Sequence, residues 1–122
     1  SATLAPDDFR SALLSVPGLG DVRVACLGGP AIQTGFDNTS GKTLAAVQRK
    51  YLVPGAAVDV QAVDIATGGS AAQYFAPGSV LFDLLVSAGG AGPVATVQIF
   101  GTSLGPSGNC RFTAQATVSD AG

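Results

Sequence analysis

The chain has 122 residues, 47% of them hydrophobic and 11% charged, with a formal net charge of -2. That length suits one domain, 1-122, with a real core, and no apolar run approaches the ~18 residues a membrane-spanning helix requires, so no membrane partner is expected. The six basic residues are dispersed as Arg10, Arg23, Lys42, Arg49, Lys50 and Arg111, which leaves no basic stripe to neutralise phosphates and sets nucleic acid aside as a partner.

The first predicted element is a short N-terminal helical arm over 6-16, PDDFRSALLSV. Pro6 suits a first helical position, Asp7 and Asp8 complement the positive end of the dipole, and Phe9, Leu13 and Val16 recur at helical spacing. Pro17-Gly18 ends it. Phe9 and Leu13 on this arm are candidate contact residues, although apolar residues at such spacing are more often core. From DVRVACL onward the period changes to two, with Val22, Val24 and Cys26 on one face of a strand.

GFDNTSGKTL, residues 35 to 44, ends in Gly-Lys-Thr behind an upstream glycine and so resembles a phosphate-binding loop. The spacing refuses it. That motif places four residues between its glycines so that backbone N–H groups curl around a phosphate, whereas Gly35 and Gly41 enclose Phe36, Asp37, Asn38, Thr39 and Ser40, one of them anionic. Asp37, Asn38, Ser40 and Gly41 instead predict a turn between strands. Asn38-Thr39-Ser40 is also a glycosylation sequon, a pattern short enough to arise by chance.

Extended segments follow at 43-53, 57-67, 79-88 and 94-104. They are punctuated by Pro54-Gly55, by the stretch from Gly68-Gly69 to Gly78, by GGAGP at 89-93 and by GPSGN at 105-109. Tyr74 and Phe75, beside Pro77-Gly78, are further candidate interface residues. SVLFDLLVSA is nearly continuous apolar sequence and reads as the most buried strand, ahead of a short core helix. In CRFTAQATVS, Cys110, Phe112, Ala114, Ala116 and Val118 alternate cleanly with polar residues, the pattern of a strand with one solvated face. The expected fold is therefore all-β: an antiparallel β-sandwich or barrel of about six to seven strands, with the short N-terminal helix.

Cys26 and Cys110 both fall on the apolar side of their strands, so they could meet in one core. A bridge would favour an exported protein, and two buried thiols would suit the inside of a cell. Neither cysteine has metal-ligand spacing, so no zinc site is expected. The sequence holds no His and no Glu, which removes the usual general base and the commonest metal ligand and leaves eight Asp as the side-chain carboxylates. Asp59 and Asp64 lie five apart in one extended segment and so project to opposite faces. Asp7 and Asp8 serve the helix start, and Asp83, inside an apolar strand, faces solvent or is paired. No calcium-loop motif is present, though scattered Asp and carbonyl ligands leave calcium open. Serine chemistry would need Lys42 as base to Ser40 or the free amine of Ser1. No catalytic residue, cofactor or metal is assigned.

These readings together give the expectation of a non-enzymatic structural protein that packs against itself or other shell proteins. The favoured form is a small virion component of the capsid decoration, cement or fibre type, a homo-oligomer assembled in a host cytoplasm. The alternative is a secreted bacterial β-sandwich binding module stabilised by a Cys26–Cys110 disulfide. Ser1 is compatible with loss of an initiator Met or of a cleaved leader.

Overall fold

The computed structural model describes residues 1–27, 31–52, 57–75, 78–89, 92–104 and 108–120, with the side chains of 52, 57–59 and 120 set aside. Every regular element among them is a strand. The order is β1 (Ala2–Leu4), β2 (Phe9–Val16), β3 (Gly20–Cys26), β4 (Ile32–Asn38), β5 (Leu44–Leu52), β6 (Ala57–Ile65), β7 (Ser70–Phe75), β8 (Ser79–Ser87), β9 (Pro93–Leu104) and β10 (Asn109–Asp120). They form two antiparallel sheets, one of six strands in the order β1-β10-β9-β8-β5-β6 and one of four in the order β2-β3-β4-β7. The molecule is thus all-β and sandwich-like.

Alternation decides which residues fill the space between the sheets. Val22, Val24, Ile32 and Phe36 from the smaller sheet meet Val80, Phe82, Leu84, Val86, Val97, Ile99 and Phe112 from the larger in one continuous core, all fully buried. Each such side chain contributes about 1.5–3 kcal/mol relative to exposure. The segment SVLFDLLVSA is indeed a strand, and its phase is clear: Val80, Phe82, Leu84 and Val86 point inward, while Leu85 is exposed. Gly20 marks a close backbone approach in the smaller sheet, since a Cβ there would stand 2.0 Å from the Asp37 carbonyl oxygen.

The helix expected over 6-16 is not formed. Pro6 and Asp7 make a turn in which Asp7 takes a φ of 68°. Its N–H then donates to the Cys26 carbonyl (2.6 Å), and the Cys26 N–H donates to the Asp8 carbonyl (2.9 Å). These bonds launch Phe9–Val16 as β2, antiparallel to β3, with Leu14 opposite Val22 and Val16 opposite Gly20. A register shift between Arg10 and Leu14 breaks the period-two pattern, and that irregularity makes the strand imitate helical spacing. A helix of this length is marginal in water unless packing supports it, whereas the strand pairs along β3 and sinks Val16 into the core.

Three further strands, β1, β4 and β7, bring the total among the described residues to ten where six to seven were expected. The turns read at Pro54-Gly55, and parts of those at Pro77 and at 105–107, lie outside the described residues.

Candidate functional site

The Gly-Lys-Thr segment is a turn built around one side chain. Gly35 to Asn38 complete β4, residues 39–43 reverse the chain, and Leu44 opens β5. Asn38, 2% exposed, holds the reversal together. Its Nδ2 donates to the carbonyls of Lys42 (2.6 Å), Ile65 (2.9 Å) and Ala66 (3.1 Å), and its Oδ1 accepts from the Ser40 N–H (2.9 Å) and hydroxyl (2.7 Å). Gly41, at φ 80°, supplies the left-handed step. A strand follows where a phosphate loop needs a helix N-terminus, and the Asn38 and Ser40 side chains are spent on each other, on the turn's backbone and on the carbonyls of Ile65 and Ala66.

The arrangement of the smaller sheet carries more. Pairing sets Phe9 opposite Ala25, Ala25 opposite Gln33 and Gln33 opposite Tyr74, so these four residues form one row across the outer face. Phe9 and Tyr74 are 69% and 65% exposed, the two most exposed of the large hydrophobic side chains among the described residues. They stand at opposite edges of the sheet, three strand spacings or about 14 Å apart. The next row crosses Arg23, Gly35 and Ala72, and Gly35, having no side chain, leaves the centre of the face low. Beyond it Arg23 pairs with Asp37 (3.4 Å), which also accepts a hydrogen bond from the Ser70 hydroxyl.

A shallow depression of about 400 Å³ occupies the β2 side of this face, lined by Asp7, Asp8, Phe9, Arg23, Gln33 and Asp37 among others. Its chemistry is an aromatic wall and an amide set in a rim where three carboxylates outnumber one guanidinium. Pockets that combine apolar walls with a few convergent polar groups are the usual form of binding sites. Among the described residues no group of three or more His, Cys, Asp or Glu side chains is placed to hold a metal ion.

Of the residues singled out from sequence, Phe9 and Tyr74 therefore share one face. Leu13 is partly buried against the core, and Phe75 is a core residue at 6% exposure, with the Lys50 Nζ 5.6 Å from its ring centroid. Cys26 and Cys110 are joined as a disulfide with Cα atoms 5.6 Å apart, both fully buried. The bridge links β3 of the smaller sheet to β10 of the larger. Ala25, Gln33 and Gly35 carried no signal as site residues, because their place depends on β4 lying between β3 and β7.

The outer face of the larger sheet is a second, flatter surface. Val47, Val60, Leu85 and Phe100 are exposed on it around one ion pair, Arg49 with Asp83. The hydrogen bond to Asp83, followed by its charge, holds the Arg49 guanidinium above its ordinary pKa. Leu85 falls on the same phase of its strand as Asp83, but the nearly continuous apolar run did not single it out.

Comparison with protein-family models, with curated proteins and with solved structures found no match in any of the three.

Proposed function

We propose that this chain is a non-enzymatic, exported β-sandwich module that binds a protein or cell-surface ligand on the outer face of its four-stranded sheet. The observation that carries the reading is the buried Cys26–Cys110 bridge between the two sheets. Thiols in a reducing cytoplasm stay reduced, and such a bridge persists in oxidising compartments. The ligand would lie between Phe9 and Tyr74 over the low centre at Gly35, with Gln33 as a hydrogen-bonding amide. The excess of carboxylates at the β2 side suits a ligand segment that carries a basic group, which an exposed aromatic ring also attracts.

The virion reading keeps one observation in its favour. The larger sheet shows Val47, Val60, Leu85 and Phe100 on a face whose charged centre is internally paired, a surface that could close against a shell. Counting thiols on the denatured chain, isolated from its source without reductant, separates the two. No free thiol supports the exported module. Two free thiols would overturn it and return the assignment to a component assembled in a cytoplasm.

A further inference from the structure

Beyond that reading, the two sheets differ in how their edges are closed, and one edge is open in a specific way. In the larger sheet β1 covers only the start of β10: the pairing runs Leu4 to Cys110, Thr3 to Arg111 and Ala2 to Phe112, and goes no further. The rest of β10 pairs with β9 on one side, through Asp120 opposite Pro93. Along a strand every second residue turns its N–H and C=O to a given edge, so the stretch beyond Phe112 presents a row of backbone donors and acceptors to solvent.

The side chains mark the same gap. Cys110 and Phe112, which face inward where β1 lies alongside, are fully buried. Ala114 and Ala116, on the same phase, are only partly buried, and Val118 is 40% exposed. Residues positioned to line the sandwich interior are therefore open to water, with no strand among the described residues alongside them.

The other edges do not share this character. β6 carries Asp64 and β2 carries Arg10 with a register shift, devices that keep edges from pairing. β7 is uncharged but six residues long, and its inward Ala71 and Phe75 are already buried. On β10, residues 113–119 read TAQATVS, without a charge.

We propose that β10 is the dimerisation edge of this protein and that its partner is β10 of a second copy, joined antiparallel about a two-fold axis near Thr117. The register is self-complementary. Thr117 faces Thr117 of the second copy, Ala116 faces Val118, and Gln115 faces Ser119. Each pair shares one strand phase, so inward residues meet inward residues and the two six-stranded sheets become one. No like charges are brought together between 113 and 119, and the Ala116 and Val118 side chains of the two copies close each other's opening. Ser1, which the β1 register carries to a place opposite Thr113, stays outside the paired stretch.

The test is native mass by light scattering over a concentration series, on the full chain with its disulfide intact. The parent should run at twice the 12.0 kDa chain mass at the upper concentrations. Thr117 is exposed, and a charge there sets like charges directly opposite across the axis. Thr117→Asp alone and Thr117→Lys alone should each run at the single-chain mass with unchanged far-UV circular dichroism. Mixed in equal amounts, they should recover the dimer. Backbone amide exchange provides a second readout, with amides from 114 to 120 slowing as parent concentration rises. A parent at single-chain mass at every concentration, or a Thr117→Asp protein that remains dimeric, overturns the proposal. A dimer indifferent to Thr117→Asp but dissociated by Leu85→Glu would move the interface to the sheet face, leaving ligand binding on the other sheet untouched.

Discussion

Replacing Asn38 is the sharpest probe of how this fold closes, because one amide joins two chain reversals. Asn38→Ala deletes three donated and two accepted hydrogen bonds. At about 1 kcal/mol net per bond, with water able to replace those at the Ser40 and Lys42 rim but not the one at the buried Ile65 carbonyl, the loss comes to about 2–4 kcal/mol. For a chain of this size that lowers the melting temperature by roughly 8–15 °C. Asn38→Asp refines the test. It keeps the acceptor for Ser40 and the volume, yet turns a donor into an oxygen that faces three carbonyl oxygens in a site 2% exposed. At neutral pH it should be less stable than Asn38→Ala. Burial and the facing carbonyls raise that carboxyl's pKa in the folded state, so its penalty should shrink as pH falls from about 7 towards 4. Thermal unfolding of the three proteins across that range is the assay. Asn38→Ala within about 0.5 kcal/mol of the parent, or Asn38→Asp at least as stable as Asn38→Ala at neutral pH, would refute the account of the turn.

Four other outcomes follow from the packing. Replacing Cys26 and Cys110 together by Ala should cost about 2–4 kcal/mol in chemical denaturation, with about 4–5 kcal/mol as the chain-entropy ceiling for residues 84 apart. Gly20→Ala should cost more than about 2 kcal/mol, because its Cβ would collide with the Asp37 carbonyl. Gly41→Ala, strained by its φ of 80° but with open space around it, should cost about 1–2 kcal/mol in the same melts. Phe9→Ala and Tyr74→Ala should stay within about 0.5 kcal/mol of the parent, while Phe82→Ala should lose about 3–5 kcal/mol; a large loss at Phe9 would make it a core residue and remove it from the ligand face.

Strands with clean alternation or clear turn residues at their ends were legible in the sequence. β3 and β10 fall where the alternation places them, and β5, β6, β8 and β9 where their turn residues bound them. β4 was hidden because its inward set is Ile32, Thr34, Phe36 and Asn38, so two polar residues occupy the buried phase and the hydrophobic period disappears. β7 has apolar residues on both phases, with Ala71 and Phe75 inward and Ala72 and Tyr74 outward, which erases the contrast that alternation relies on. β2 is disguised by its register shift. The site suffered most from these losses. Phe9 and Tyr74 stood out singly, but their shared row exists only because strand order threads β3 and β4 between them, and composition says nothing about strand order.

The bridge also decides how this protein bears load. Cys26 lies in one sheet and Cys110 in the other, with most of the chain between them. Pulled from residues outside that loop, the molecule can unspool only β1, β2 and β3 as far as Cys26 from one side and β10 beyond Cys110 from the other before tension reaches the sulfur–sulfur bond. Everything between the cysteines is then shielded from extension, so forced unfolding should stop after a short release rather than run through the whole sandwich. Reduction would remove that stop and let the full contour length pay out.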